Sequence, residues 1–188
     1  MPRAKKAGSS PKTHVALLRG INLGSSNRVS MPDLRSLLEA LGAEDVATYL
    51  QSGNVVFKSS DSSAKLTRAI ERRIHRDLGL SVTVLLRTPR QLAKVRAGNP
   101  FAKDVKDPTK LHVTFLAEKP DRARVRGLDP KRSKPDEFRL VGQEVFLRCP
   151  NGYGRSKLTN AHFEKQLDVA ATTRNWKTVT KLAELASV

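Results

Sequence analysis

Two parts of the sequence gather arginine, amide and hydroxyl side chains beside glycines, a combination that suits the binding of an anion. Arginine supplies a fixed charge with a planar fork of donors, amides supply directional hydrogen bonds, and glycine lets backbone amides approach a ligand closely. The first part combines RGINLGSSNR, residues 19–28, with QSGN, residues 51–54. The predicted ligand-binding residues of this first cluster are Arg19, Asn22, Asn27, Arg28, Gln51, Ser52 and Asn54.

The second cluster lies near the C-terminus and combines GYGRSK, residues 152–157, with TTRNW, residues 172–176. We expect Arg174 to act there as an anion ligand or as a clamp between the two halves of the chain, because its guanidinium can grip a carboxylate or phosphate with two donors. The spacing is not that of a Walker A loop. The predicted ligand-binding residues of this second cluster are Arg155, Ser156, Lys157, Thr173, Arg174 and Asn175.

The same residues also allow a purely structural interpretation. Gly53-Asn54 is a common hairpin-turn pair, and Asn22 and Asn27 are of a type that caps loops. The single tryptophan, Trp176, is predicted to anchor its helix by packing rather than to stack on a base. Both interpretations stay open at the level of the sequence.

Patterns typical of catalysis and of metal binding are missing. The four histidines are scattered along the chain, at His14, His75, His112 and His162. None of them pairs with cysteine or carboxylates at metal-ligand spacing. The single cysteine, Cys149, excludes an intrachain disulfide and is expected to be a buried, inert thiol. We therefore predict no metal site and no cofactor, and we assign no catalytic residue.

The charge of the chain favours anionic partners. Its 188 residues include 35 Lys and Arg against 18 Asp and Glu, a formal net charge of +17. Such a balance suits nucleic acid or an anionic small molecule. No apolar run approaches the roughly 20 residues of a membrane span, and no apolar segment follows the basic N-terminus as in a secretory signal. We expect a cytoplasmic protein without membrane partners, and its oligomeric state stays open.

The elements that must position the clusters follow the order strand, helix, strand, strand, helix, strand. Apolar residues at helical spacing predict helices within residues 30–42 and 62–79. This order favours a ferredoxin-like sandwich, and the second half repeats it imperfectly. The predicted fold is therefore α+β, with two ferredoxin-like α/β sandwich halves and mainly antiparallel sheets. The predicted limits are a disordered basic tail at 1–12, an N-terminal half at 13–98, a connection at 99–109 and a C-terminal half at 110–188.

This topology explains why each cluster should assemble. The first and second strands run parallel with the third antiparallel between them, so the end of the first strand and the turn after the second share one edge of the sheet. Residues 19–28 are then expected beside residues 51–54. The third and fourth strands of the second half likewise end at one edge, which predicts residues 152–157 beside residues 172–176.

Three motifs in order resemble a known bacterial family. They are ALLRGINLGSSNRVSMPDLRSLLEALG, VATYLQSGNVVFKS and ATTRNWKTVTKL. They resemble the family catalogued as domain of unknown function 1697, over nearly the whole chain beyond the basic tail. The resemblance implies an α+β protein with two ferredoxin-like halves, and it implies no established activity.

Three functions follow as alternatives. The first is a binder of an anionic ligand, with nucleic acid as one candidate, although no strand carries the aromatic pattern of an RNA-recognition sheet. The second is an enzyme acting on a small phosphorylated or carboxylated substrate, for which no general base is identified. The third is a structural or interaction protein whose polar edges form caps and contacts between the halves. Whether the protein is an enzyme stays open.

Overall fold

A computed structural model of the chain describes residues 10–24 and 27–187. The chain divides into two compact units, Met1–Pro89 and Arg90–Val188, and each unit contains one four-stranded antiparallel sheet. The predicted basic tail falls mostly on residues 1–9, outside the described residues, and Lys12 already belongs to the first strand. The boundary between the two units follows Pro89, whereas the sequence predicts an N-terminal half that ends at residue 98.

The first unit has the element order that the sequence predicts. Its elements are β1 (Lys12–Leu18), α1 (Met31–Glu39), β2 (Glu44–Tyr49), β3 (Asn54–Ser59), α2 (Ser63–Leu78) and β4 (Val84–Arg87). The sheet order is β2-β3-β1-β4, and every neighbouring pair is antiparallel. This is the ferredoxin-like arrangement, in which β3 lies between the parallel strands β1 and β2.

The second unit repeats that arrangement with an added helix at each end. Its elements are α3 (Pro89–Ala97), β5 (Leu111–Leu116), α4 (Arg122–Arg126), β6 (Glu137–Val141), β7 (Glu144–Arg148), α5 (Asn160–Leu167), β8 (Ala171–Asn175) and α6 (Trp176–Leu185). The sheet order is β6-β7-β5-β8, again antiparallel throughout. The predicted α+β fold with two sandwich halves is therefore confirmed.

Side-chain caps begin the helices α1 and α6. Ser30 accepts a hydrogen bond from the backbone N–H of Asp33 at 3.1 Å and begins α1. Asn175 accepts one from the N–H of Thr178 at 2.8 Å and begins α6. Each cap satisfies an amide that the first helical turn leaves unpaired.

Two strands begin later in the chain than the sequence predicts. The apolar and β-branched residues over 81–86 and 169–173 predict strands there, but β4 and β8 begin at Val84 and Ala171. Val84 lies opposite the last residue of β1, and Ala171 lies opposite the last residue of β5. The partner strand sets each boundary, which the apolar run alone does not show.

Apolar helix faces cover one side of each sheet. In the first unit the core includes Leu34 and Leu38 of α1, Ile70 and Ile74 of α2, and Phe57 of β3. The second unit packs a separate apolar cluster between its sheet and its helices. Within the described part of the chain, none of the helices combines the length and the apolar character of a bilayer span.

The packing role predicted for the tryptophan agrees with its position. Trp176 is the first residue of α6, and its side chain is buried. A ring held inside the second unit is not presented to bases. It therefore contributes apolar contact area to the helix, as the sequence analysis expected.

Candidate functional site

The structure brings the two segments of the first cluster together. The backbone N–H of Leu18, at the end of β1, donates to the carbonyl oxygen of Gly53 at 2.8 Å. The side-chain amide of Asn22 donates to the carbonyl oxygen of Gln51 at 2.6 Å. The loop after β1 and the turn after β2 therefore meet at one edge of the sheet.

Asn22 uses its side chain to hold this loop closed. Its Nδ2 donates to the carbonyl oxygens of Val29 at 2.9 Å and of Gln51 at 2.6 Å. Its Oδ1 accepts from the N–H of Val29 at 2.9 Å. The backbone at Asn22 is left-handed, with φ of 54°, a conformation that asparagine tolerates better than most residues. Asn22 thus ties both ends of the loop to the turn.

The other two asparagines of the first cluster also bond to the protein's own chain. Asn27 donates from Nδ2 to the carbonyl oxygen of Gly20 at 3.2 Å. Asn54 is fully buried, and its Nδ2 donates to the carbonyl oxygen of Tyr49 at 2.8 Å and to Oγ of Ser52 at 2.9 Å. These amides satisfy polar groups at the sheet edge, which is the structural interpretation of the cluster.

Gly53 is needed for close packing in the first unit. Its φ is +75°, and an added Cβ would lie 2.7 Å from Cδ1 of Ile21 and 2.8 Å from Cβ of Leu18. Both atoms belong to buried side chains of the first unit. A tight contact with the core therefore explains the need for glycine at this position, and its role toward a ligand stays a prediction.

The remaining predicted residues of the first cluster lie nearer to solvent. Arg28, Gln51 and Ser52 are exposed, although Ser52 accepts a hydrogen bond from Asn54, and Arg19 is half-buried. The backbone N–H of Arg19 donates to the carbonyl oxygen of Thr83 at 2.9 Å, which joins the end of β1 to the segment before β4. The ligand role of these side chains stays a prediction.

In the second unit, the ends of β7 and β8 lie at the same edge of the sheet. Arg148 pairs with Leu111 and Asn175 pairs with His112, at the start of β5. The loop after β7 is fastened there by Tyr153, whose ring stacks on His112 at 4.7 Å between ring centroids. The predicted meeting of the two segments is therefore seen at the backbone level.

Thr173 takes part in the bonds that fasten this loop. The hydroxyl of Tyr153 donates to Oγ1 of Thr173 at 3.2 Å, and the hydroxyl of Thr173 donates to Oδ1 of Asn160 at 2.5 Å. Thr114 on the neighbouring strand lies 2.7 Å from the same hydroxyl. Thr173 thus connects the loop, the start of α5 and the sheet.

Arg174 lies on the other face of β8, because successive strand residues point to opposite sides. It is only 7% exposed, and it donates from Nη1 to Oγ1 of Thr172 at 2.8 Å and to the carbonyl oxygen of Thr173 at 2.9 Å. Burial lowers the pKa of Arg174 to about 10, so it stays charged at neutral pH. Asn175 caps α6. The second cluster is therefore divided between two faces of the strand.

Arg155 and Lys157 meet a second basic segment in a cavity of ≈ 210 Å³, which we name the basic pocket. The residues that line it are Arg132, Ser133, Lys134, Pro135, Asp136, Asn151, Arg155 and Lys157. Four of these side chains are cationic and one is a carboxylate. Ser156, between two lining residues, is itself buried and accepts a bond from the N–H of Leu158 at 3.1 Å.

Hydrogen bonds hold the two walls of the basic pocket together. Ser133 donates from Oγ to Oδ2 of Asp136 at 2.7 Å, and the N–H of Lys157 donates to Oγ of Ser133 at 2.9 Å. Asp136 is buried, so its charge sits beneath the opening. The four cationic residues are exposed, and the described part of the chain shows no ion pair for any of them. The opening therefore carries uncompensated positive charge.

Sequence reasoning missed half of this pocket. The sequence shows that the segment from Arg122 to Lys134 is basic, but no pattern in it places Arg132 and Lys134 beside Arg155. The signal that was available is the run SKPD, residues 133–136, in which serine, proline and aspartate favour a tight turn. A turn there returns the chain toward the sheet edge, where the loop after β7 also lies.

The histidines and the cysteine show no arrangement for metal or nucleophilic chemistry. Among residues 10–24 and 27–187, no three His, Cys, Asp or Glu side chains lie close enough to hold a metal ion. Burial lowers the pKa of His112 to about 4, so this imidazole is neutral at pH 7. Cys149 is buried, as expected, and burial raises the pKa of its thiol to about 11. Such a thiol is inert under neutral conditions.

Comparisons with known proteins agree with this fold. The chain is similar to the conserved bacterial protein SP0830 from Streptococcus pneumoniae, with a TM-score of 0.74 and 25% identity, over 94% of this chain and 99% of that chain. No curated protein matches the sequence. The profile of a family described as protein of unknown function (DUF1697) matches residues 12–146. Because this match spans most of the chain, the protein belongs to the DUF1697 family.

Proposed function

We propose that this protein binds nucleic acid in the bacterial cytoplasm, and that the basic pocket holds a backbone phosphate. The observation that carries the proposal is the set of four exposed cations, Arg132, Lys134, Arg155 and Lys157, around one opening. The single carboxylate of the pocket is buried and bonded to Ser133. A phosphate would supply the missing negative charge.

The size of the basic pocket supports a phosphate rather than a whole metabolite. Its volume is ≈ 210 Å³, whereas cavities that enclose a drug-sized ligand are about 300–1,000 Å³. Arginine can bind phosphate through two donors, and lysine binds it as a point charge. The rest of a polyanionic chain would then be attracted by the net charge of +17.

We expect binding with little sequence preference. Phe57, Phe115 and Phe146 of the central strands are all buried, so they do not offer rings for bases to stack on. The affinity would then depend mainly on phosphate contacts. Such binding weakens steeply as the salt concentration rises, because each contact releases counterions.

A fluorescence anisotropy titration tests this proposal. Labelled single- and double-stranded oligonucleotides are titrated with the full chain at two salt concentrations. The double variant Arg155→Gln, Lys157→Gln should bind more weakly and should reduce the salt slope by about one for each lost phosphate contact.

The matched control is the double variant Arg90→Gln, Lys165→Gln. It removes the same two charges from exposed positions of the second unit that do not line the basic pocket. Equal losses in the two double variants would show attraction by net charge alone, and the pocket would lose its role. No binding at low salt would end the proposal.

A further inference from the structure

A wide groove lies in the first unit, between α2 and the residues that lead into β4. Its volume is ≈ 840 Å³. Leu41, Ala69 and Val82 supply apolar surface to this groove, and Arg72, His75 and Arg76 of α2 supply basic surface. We name it the α2 groove. We infer that the α2 groove binds an acidic, partly apolar peptide segment of another protein.

The charge of the α2 groove is the first argument for this occupant. Arg72 is exposed, and the described residues show no carboxylate paired with it. Asp77 is shared by Arg73 and by Arg76, whose Nε lies 2.8 Å from Oδ1. The lining carboxylate, Glu71, accepts a hydrogen bond from the N–H of Val84 at 2.9 Å. The rim therefore keeps an excess of positive charge that faces solvent.

The shape and chemistry of the floor favour a peptide over nucleic acid. Leu41, Ala69 and Val82 are aliphatic, and His75 supplies the single ring among the lining residues. An aliphatic side chain would bury apolar surface on this floor, whereas a sugar–phosphate backbone would use only the cations and gain nothing from the apolar floor. A second copy of this chain is a poor occupant, because two molecules of net charge +17 repel each other.

The spacing of the arginines indicates how such a peptide would lie. Arg72 and Arg76 are four residues apart on one helix, which places them about 6 Å apart along its axis. Alternate residues of an extended peptide are about 6.6 Å apart and point to the same side. Carboxylates at alternate positions would therefore face Arg72, which has no paired carboxylate among the described residues, and Arg76, which shares Asp77 with Arg73, and the residues between them would point to the other side.

This inference does not depend on the proposed function. The α2 groove belongs to the first unit, and the basic pocket belongs to the second. Peptide and oligonucleotide can therefore be titrated separately against the same set of variants.

The probe is a short fluorescein-labelled peptide in which glutamate and leucine alternate, titrated with the full chain by anisotropy. Arg72→Glu should weaken its binding on the order of tenfold, because an attractive pair becomes a repulsive one. Arg68→Glu is the matched control, since Arg68 is exposed on the same helix but does not line the groove. It should weaken binding clearly less than Arg72→Glu does, because Arg68 lies one turn away, outside the direct contact with the peptide.

A second variant tests the site without changing its charge. Ala69→Phe places a ring in the groove and should also weaken the binding of the peptide. Both variants are first compared with the wild type by circular dichroism, and Arg72→Gln replaces Arg72→Glu if the latter is unfolded. Peptides with lysine in place of glutamate, or serine in place of leucine, should bind poorly.

Three results would overturn the inference. Equal losses for Arg68→Glu and Arg72→Glu would show attraction by overall charge. Equal binding of the lysine–leucine peptide would show that the arginines do not select the ligand. Competition by an oligonucleotide whose own affinity falls equally in Arg72→Glu would assign the α2 groove to nucleic acid instead.

Discussion

Replacing Asn22 by aspartate tests whether its side chain stabilises the loop or is free to bind a ligand. The side chain donates to the carbonyl oxygens of Val29 and Gln51, at 2.9 and 2.6 Å. Aspartate has the same shape and keeps the acceptor for the N–H of Val29, but its ionised form has no donor. It also tolerates the left-handed backbone at this position. Asn22→Asp therefore removes two hydrogen bonds with little other change.

The expected loss follows from those two bonds. Each hydrogen bond contributes about 0.5–1.5 kcal/mol, so the pair contributes about 1–3 kcal/mol to the free energy of unfolding. The new carboxylate oxygen would also lie close to the two carbonyl oxygens, and the repulsion between them adds to this loss, so the figure is a lower bound. In a protein of this size, each kcal/mol shifts the melting temperature by about 2–4 °C. Asn22→Asp should therefore melt several degrees below the wild type.

The pH dependence of that loss gives a further check. Protonation of the new carboxyl restores one donor, so the folded state of the variant favours the protonated form. The deficit against the wild type should be complete near neutral pH and should shrink as the pH falls into the range in which aspartic acid titrates. Groups common to both proteins cancel in this difference.

Thermal unfolding followed by far-UV circular dichroism, at neutral and acidic pH, measures these effects. Gln51→Glu is the control, because it makes the same amide-to-acid change on an exposed side chain of the adjoining turn. It should melt close to the wild type. If Asn22→Asp and Gln51→Glu have the same melting temperature at neutral pH, the bracing role of Asn22 is refuted.

Two further substitutions test particular contacts. Gly53→Ala should reduce the free energy of unfolding by about 1–3 kcal/mol more than Gly79→Ala in urea titrations, because overpacking adds to backbone strain only at Gly53. The two glycines have φ of +75° and +68°, but no atom lies within 4 Å of an added Cβ at Gly79, so equal losses would contradict the packing argument. Arg174→Lys should lower thermal stability by about 1–3 kcal/mol, since lysine cannot reproduce the bonds of the guanidinium, and adding phosphate should not restore it. Arg28→Lys changes an exposed side chain and should alter the stability by less than about 0.5 kcal/mol. If Arg174→Lys and Arg28→Lys give the same melting curve, the hydrogen bonds of Arg174 do not stabilise the protein.

The two polar clusters differ in what their side chains have left to bind. The asparagines of the first cluster use their donors on carbonyl oxygens of the same unit. A backbone group at a partly buried sheet edge needs a partner, and asparagine can supply it where the ladder ends. The exposed cations of the basic pocket are not needed to satisfy backbone groups in this way. They are therefore available to a ligand, whereas the asparagines of the first cluster already bond within their own unit.

The sequence by itself determined the fold class and the order of the elements. Apolar periodicity distinguishes helix from strand over short windows, and capping residues such as Ser30 and Asn175 act on amides within three positions. The order of elements then restricts the sheet to few topologies, so the meeting of the loop after β1 with the turn after β2 was predictable. These features depend on neighbours in the chain, which a sequence displays directly.

Only the tertiary structure decided which way each polar side chain points and what it meets. Arg174 and Thr173 are adjacent in sequence, yet they lie on opposite faces of β8 and bond to different partners, Thr172 and Asn160. Arg132 and Arg155 are separated by the whole β6–β7 hairpin, yet they line one pocket. Such pairings depend on strand register and on how loops fold back over the sheet. Both are set by packing among segments distant in the chain, and no local pattern records them.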